Sequence, residues 1–230
     1  MHPRPTAAVV LTALLVTACS MSSTLSPAPS AGTIRYVALG DSYTIGTSVA
    51  ESARWPNQLV EHLAGEVDLQ LVANLGVNGY SSAQLIDLEL PQLDALDPDF
   101  VTLLIGANDV VRGIPADTYR ANLNEIFDLL LERLPANRIV VVSSPDYTRT
   151  PQGAAFGDPA QQRAQIATFN GIEREIAEAR GIAFVDISGV ADQADVDADL
   201  VAVDGLHPSG TQYSRWTDLI APMVQDLLSR

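Results

Sequence analysis

The 230-residue chain contains no lysine, and all 13 of its basic residues are arginine. A Schiff-base lysine and the lysine of a phosphate-cradling P-loop are therefore excluded. A single cysteine, Cys19, rules out an internal disulfide and a multi-cysteine zinc cluster. Cations are outnumbered by 28 Asp+Glu, for a formal net charge of −15. Phosphate backbones and anionic headgroups are both bound through clustered cations, so nucleic-acid binding and electrostatic adsorption to such lipids are disfavoured. The longest early apolar run, residues 7–18, falls short of the roughly 20 residues that a membrane-spanning helix needs. What is present is length enough for one ordinary domain, with 47% hydrophobic residues to fill its core.

Arg4 followed by the short apolar run reads as the charged and hydrophobic regions of a secretory signal spanning residues 1–18. The run ends in Val16-Thr17-Ala18-Cys19, which resembles the lipobox of bacterial lipoproteins. That resemblance implies a mature chain beginning at Cys19, with lipid on its sulfur and amine, exported and anchored in a bacterial cell envelope. Two or more acyl chains give stable attachment, at about 0.8 kcal/mol per buried methylene. Residues 19–32, rich in Ser, Pro and Ala, read as a flexible tether. The folded domain is expected over residues 33–230, as a monomer without a partner chain.

Within the domain, short aliphatic runs alternate with segments of helical period. Strands are expected at residues 34–39, 69–72, 100–105, 139–142 and 182–185. Helices are expected at 55–63, 81–90, 119–134, 160–180 and 209–228, with Pro56 in a first turn and Gly181 as a stop. The alternation predicts an α/β fold, a five-stranded parallel sheet between helical layers. Ligands of such sheets bind beyond the carboxyl ends of the strands, so function belongs in the loops there.

Four of those loops hold residues with chemistry: Gly40-Asp41-Ser42, Asn74 to Ser82, Gly106-Ala107-Asn108-Asp109, and Asp204-Gly205-Leu206-His207-Pro208. Taken singly, the first three are ordinary turns or helix starts. The fourth carries more weight. Of three histidines, His2 lies in the signal and His62 within an amphipathic helix, which leaves His207 in a loop. A carboxylate as close in sequence as Asp204 can fix its tautomer and stabilise the imidazolium. Ser42 supplies a hydroxyl nucleophile. The backbone N–H groups of Ser42 and Gly79 and the Asn108 amide are donors suited to an oxyanion. Gly-x-Ser-x-Gly is absent, and with it the nucleophile elbow of the α/β-hydrolases.

These four blocks, in this order, resemble the GDSL or SGNH hydrolases, as does the Trp55-Pro56 pair. The resemblance covers nearly the whole domain. It implies a flavodoxin-like three-layer α/β/α fold, and ester hydrolysis through an acyl-enzyme with no metal or organic cofactor. Ser42 would be the nucleophile, His207 the base and Asp204 its partner, with Gly79 and Asn108 in the oxyanion hole. Either Gly76 or Gly79 fits the glycine position, and Gly79 is preferred because Ser81 and Ser82 follow it. Carboxylic esters with acyl, lipid or aryl groups are the expected substrates. Alternatives are a carbohydrate O-deacetylase with the same catalytic set and a non-catalytic surface-binding lipoprotein. Tyr43 and Tyr80 flank the site as pocket walls or as packing residues, and residues 145–159 are long enough to form a rim or lid, or else are an inert connection. Asp192, Asp195, Asp197 and Asp199 imitate a calcium loop, but Leu200 and Leu206 stand where an EF-hand requires Gly and Glu. A solvated acidic loop is expected there.

Overall fold

Five aliphatic runs form one parallel sheet: β1 Ile34–Gly40, β2 Leu69–Asn74, β3 Phe100–Leu104, β4 Ile139–Val142 and β5 Ala183–Val185. A computed structural model describes residues 1–2 and 32–229. By internal contacts the chain separates into Met1–Ser30 and Ala31–Arg230, and the description below concerns the second unit. The expected signal beyond His2, together with Cys19 and nearly all of the tether, lies outside the described residues.

The strand order is β2-β1-β3-β4-β5. The chain steps outward from β1 to β2, then back across to β3, so β1 and β3 are neighbours although not consecutive. Their carboxyl ends diverge into loops on opposite sides, a topological switch point at which open α/β sheets bind ligands. Every residue of β3 and β4 is buried, which explains their almost unbroken apolar sequences. The exception, Thr102, shares a 2.7 Å hydrogen bond with the buried Tyr36 hydroxyl, so neither of these two hydroxyls is left unpaired.

The helices are α1 Ser42–Ile45, α2 Trp55–His62, α3 Ser82–Leu88, α4 Leu93–Leu96, α5 Ala107–Val111, α6 Ala116–Leu131, α7 Pro159–Ala179, α8 Ser188–Ala191 and α9 Gly210–Leu228. α2 packs against α9 in one layer, while α6 packs against both α3 and α7 in the other. Right-handed crossovers require this division once the strand order reverses. α7 starts where Asp158 accepts from the N–H groups of Ala160 and Gln161. It ends before Gly181, whose φ of 71° suits the left-handed stop.

Two helices differ from expectation. α3 ends at Leu88 and not at residue 90, because Pro91 disfavours helical backbone before it, and a 3₁₀ turn Leu90–Gln92 follows. α6 starts at Ala116, directly after Pro115, and stops at Leu131. The acidic loop is drawn to arginine: Asp195 lies 2.7 Å from Arg149, and Asp197 lies 3.2 Å from Arg215. His62 is half exposed on α2, 3.8 Å from Asp218.

Candidate active site

The loop after β1 begins at Gly40, whose φ is 148°. A Cβ there would lie 2.2 Å from the Leu104 carbonyl oxygen and 2.4 Å from Thr44 Oγ1, so only glycine lets the chain turn against β3. Asp41 caps α1 by accepting from the Tyr43 N–H at 2.9 Å. Ser42 is thereby set at the first position of α1, at the carboxyl end of the sheet.

The loop after β2 is tied to this turn. Asn74 Nδ2 donates to the Thr44 carbonyl at 2.7 Å, and the Val77 N–H donates to the Gly40 carbonyl at 3.2 Å. A Cβ on Gly76 would meet the Ile45 nitrogen at 2.7 Å and the Asp41 oxygen at 2.8 Å, so Gly76 is a packing glycine beneath the turn. Gly79 instead lines the cavity beside Ser42, with a φ of 81° and its carbonyl held by Arg112 at 2.6 Å.

The loop after β3 brings Asn108 across the switch point. Its Nδ2 donates to the Tyr80 carbonyl at 3.0 Å and to Asp41 Oδ2 at 3.1 Å. Tyr80 thus contributes a carbonyl that aims Asn108, whereas Tyr43 walls the cavity. Behind this turn lie buried acids with no basic partner in contact. Glu89 Oε2 accepts from the Gly40 N–H at 2.9 Å, and burial pushes its carboxyl up to about 9. Burial, reinforced by nearby Asp109 and opposed by the Tyr43 N–H and the Asn108 amide, raises Asp41 to about 7. Burial also drives Glu173, both of whose oxygens lack a hydrogen-bond partner, well above the carboxylate range. Desolvation makes the charged forms costly. Glu89 therefore keeps its proton at neutral pH, and the negative charge behind Ser42 is smaller than the number of acids suggests.

The last loop supplies the imidazole. An antiparallel bridge between Val201 and Pro208 closes it, with the Ala202 N–H donating to the His207 carbonyl at 2.8 Å. Asp204 Oδ1 accepts from the N–H groups of Leu206 and His207 at 2.9 and 3.0 Å. Its Oδ2 lies 2.6 Å from His207 Nδ1 and accepts from Ser48 Oγ at 2.5 Å. Desolvation raises this carboxyl, but the four donors outweigh it and hold Asp204 well below the usual carboxylate range. The Tyr43 ring lies 5.6 Å from the imidazole and restricts its tilt.

Ser42, Gly79, Asn108 and His207 all line one cavity of about 220 Å³. No hydrogen bond is closed between the Ser42 hydroxyl and the imidazole, a gap common before substrate binds. Apart from Asn78, the remaining wall is aromatic or aliphatic: Tyr43, Ala107, Val111, Tyr147, Phe156 and Leu206. Tyr147 and Phe156 come from the 145–159 segment, their rings edge to face at 6.0 Å. That segment is pinned, since the Gln152 N–H donates to the Gly205 carbonyl at 2.9 Å and Asp146 meets Arg163 Nε at 2.7 Å. The sequence pointed to Tyr43 and the 145–159 segment, but it contains no local signal for Ser48 or Glu89, because each acts on a residue far along the chain.

A profile described as the GDSL-like Lipase/Acylhydrolase family matches residues 38–215. Lipase 2 of Streptomyces coelicolor is 28% identical, over 84% of this chain and 85% of its own length. A multidomain esterase of Ruminococcus flavefaciens is 25% identical over 84% of this chain, which spans 29% of that protein. A carbohydrate acetylesterase family member from Sinorhizobium meliloti superposes with a TM-score of 0.68 at 20% identity, over 86% of this chain and 100% of its own.

Proposed function

The chain belongs to the GDSL-like Lipase/Acylhydrolase family and is a carboxylic ester hydrolase, and we propose that it works through an acyl-enzyme formed on Ser42. The observation that carries this reading is the 2.6 Å contact between Asp204 and His207 Nδ1, on an imidazole that lines the same cavity as Ser42. With Nδ1–H engaged by the carboxylate, Nε2 is the ring nitrogen left to accept a proton. His207 takes the Ser42 proton as the hydroxyl oxygen attacks the ester carbonyl. The tetrahedral oxyanion is held by the N–H groups of Ser42 and Gly79 and by the Asn108 amide, each such donor contributing roughly 2.7–4 kcal/mol. His207 then protonates the leaving alcohol, and water repeats the sequence to release the acid.

The size of the cavity supports short acyl groups. About 220 Å³ is less than the roughly 300–1,000 Å³ that drug-sized ligands fill, and the apolar wall contains no charge to meet a polar acyl chain. Across p-nitrophenyl esters from acetate to palmitate, kcat/KM is expected to peak at the short end. Phe156→Ala, which removes one of the three aromatic rings of the wall, is expected to extend that range toward longer chains. A palmitate optimum in the wild type would overturn the short-acyl assignment. The same cavity also suits an acetyl group on a sugar. An acetylated oligosaccharide hydrolysed faster than p-nitrophenyl acetate would make the protein a carbohydrate deacetylase.

The lipobox-like Val16-Thr17-Ala18-Cys19 supports a proposal about location: the enzyme is exported and held at a membrane by lipid on Cys19. Cys19→Ser is expected to move the protein from the membrane fraction to the soluble one. Unchanged fractionation would refute the anchor.

A further inference from the structure

Ser48 follows the nucleophile helix by three residues and is exposed, yet it is one of two non-glycine residues with positive φ among the described residues, at 67°. Left-handed backbone is unfavourable for a residue bearing a Cβ and persists where surrounding contacts hold it. Two such contacts reach this turn from distant loops. The Thr47 hydroxyl donates to Asn78 Oδ1, next to Gly79. The Ser48 hydroxyl donates at 2.5 Å to Asp204 Oδ2, the same oxygen that meets His207 Nδ1, across 156 residues of sequence.

We propose that Ser48 is a positioning residue of the hydrolase: its hydroxyl clasps the nucleophile turn to the base-bearing loop and shares the Asp204 oxygen with the imidazole. The assignment rests on the triad proposed above. With Oδ1 taken by two backbone N–H groups, Oδ2 is the oxygen that faces the ring. A donor on Oδ2 fixes the carboxylate plane and draws off part of its charge. Removing that donor leaves more charge on the carboxylate to face the ring, which moves the acid limb of activity to higher pH. Tyr43 and Tyr213 lie near Asp204 and Tyr147 lines the cavity with His207, and burial keeps all three hydroxyls neutral, so they do not mask this effect.

The test is the pH profile of kcat/KM on p-nitrophenyl acetate for wild type, Ser48→Gly, Ser48→Ala and His207→Ala. Ser48→Gly removes the hydroxyl while relieving the left-handed strain, and Ser48→Ala removes the hydroxyl and keeps the strain. Both are expected to lose about tenfold in kcat with KM little changed, and to shift the acid limb upward by about half a pH unit. A purely structural role would lower the thermal midpoint and leave the limb in place. An unmoved limb in both variants, or a loss confined to Ser48→Ala, overturns the Ser48 assignment while the triad stands. Wild-type turnover by His207→Ala overturns the triad and the Ser48 assignment together.

Discussion

Ser42→Ala is expected to lower kcat on any ester substrate by about 10⁶-fold, the scale of loss when the nucleophile of a serine triad is removed. The fold should not change. α1 is capped by the Asp41 carboxylate, and the turn around it is held by backbone bonds and by Asn74, none of which uses the Ser42 hydroxyl. The thermal midpoint should therefore match wild type, and labelling by a serine-directed fluorophosphonate should disappear with the activity. Turnover above about a hundredth of wild type in a folded variant would assign the nucleophile elsewhere. The Ser42 hydroxyl is one part of a larger device, because without it the imidazole has no hydroxyl to activate and the oxyanion donors have no intermediate to hold.

Asp204→Asn tests the other end of the same device, and here the hydrogen-bond pattern specifies the mode of failure. Oδ1 accepts from the N–H groups of Leu206 and His207, so in the variant this site must be the amide oxygen. The amide nitrogen is then directed at His207 Nδ1. Two donors cannot face each other, so Nδ1 loses its proton and Nε2 acquires it. An imidazole protonated on Nε2 cannot accept the Ser42 proton. The expected loss is about 10⁴-fold in kcat, with little change in the fold or in ester binding. Activity within about tenfold of wild type would show that the carboxylate does not govern the tautomer.

Much of the architecture was legible residue by residue. The strands appeared as aliphatic runs because burial on both faces leaves β3 and β4 no polar side chain but Thr102, which Tyr36 satisfies. The turn carrying Asp204 and His207 was legible because the two lie within three residues of each other. The boundary of α3 was missed by two residues, although Pro91 stood in plain view, because apolar spacing continues through the break. Residues 145–159 could be read either as a rim or as an idle connection. Deciding between them required knowing that Tyr147 and Phe156 line the cavity and that Gln152 is tied to Gly205.

By themselves, the residues in order determined an α/β domain, the four loops where chemistry had to lie, and the types of group in each. Those features depend on periodicity, capping and spacing over a few neighbouring positions. The sequence favoured Gly79 through the serines that follow it, and the tertiary structure showed that Gly79 lines the cavity while Gly76 packs beneath the turn. The tertiary structure alone decided that Ser48 reaches Asp204 and that Glu89 sits under Gly40. Such pairings are set by strand order and loop closure, which place distant segments together at one edge of the sheet. No local pattern in the chain records them.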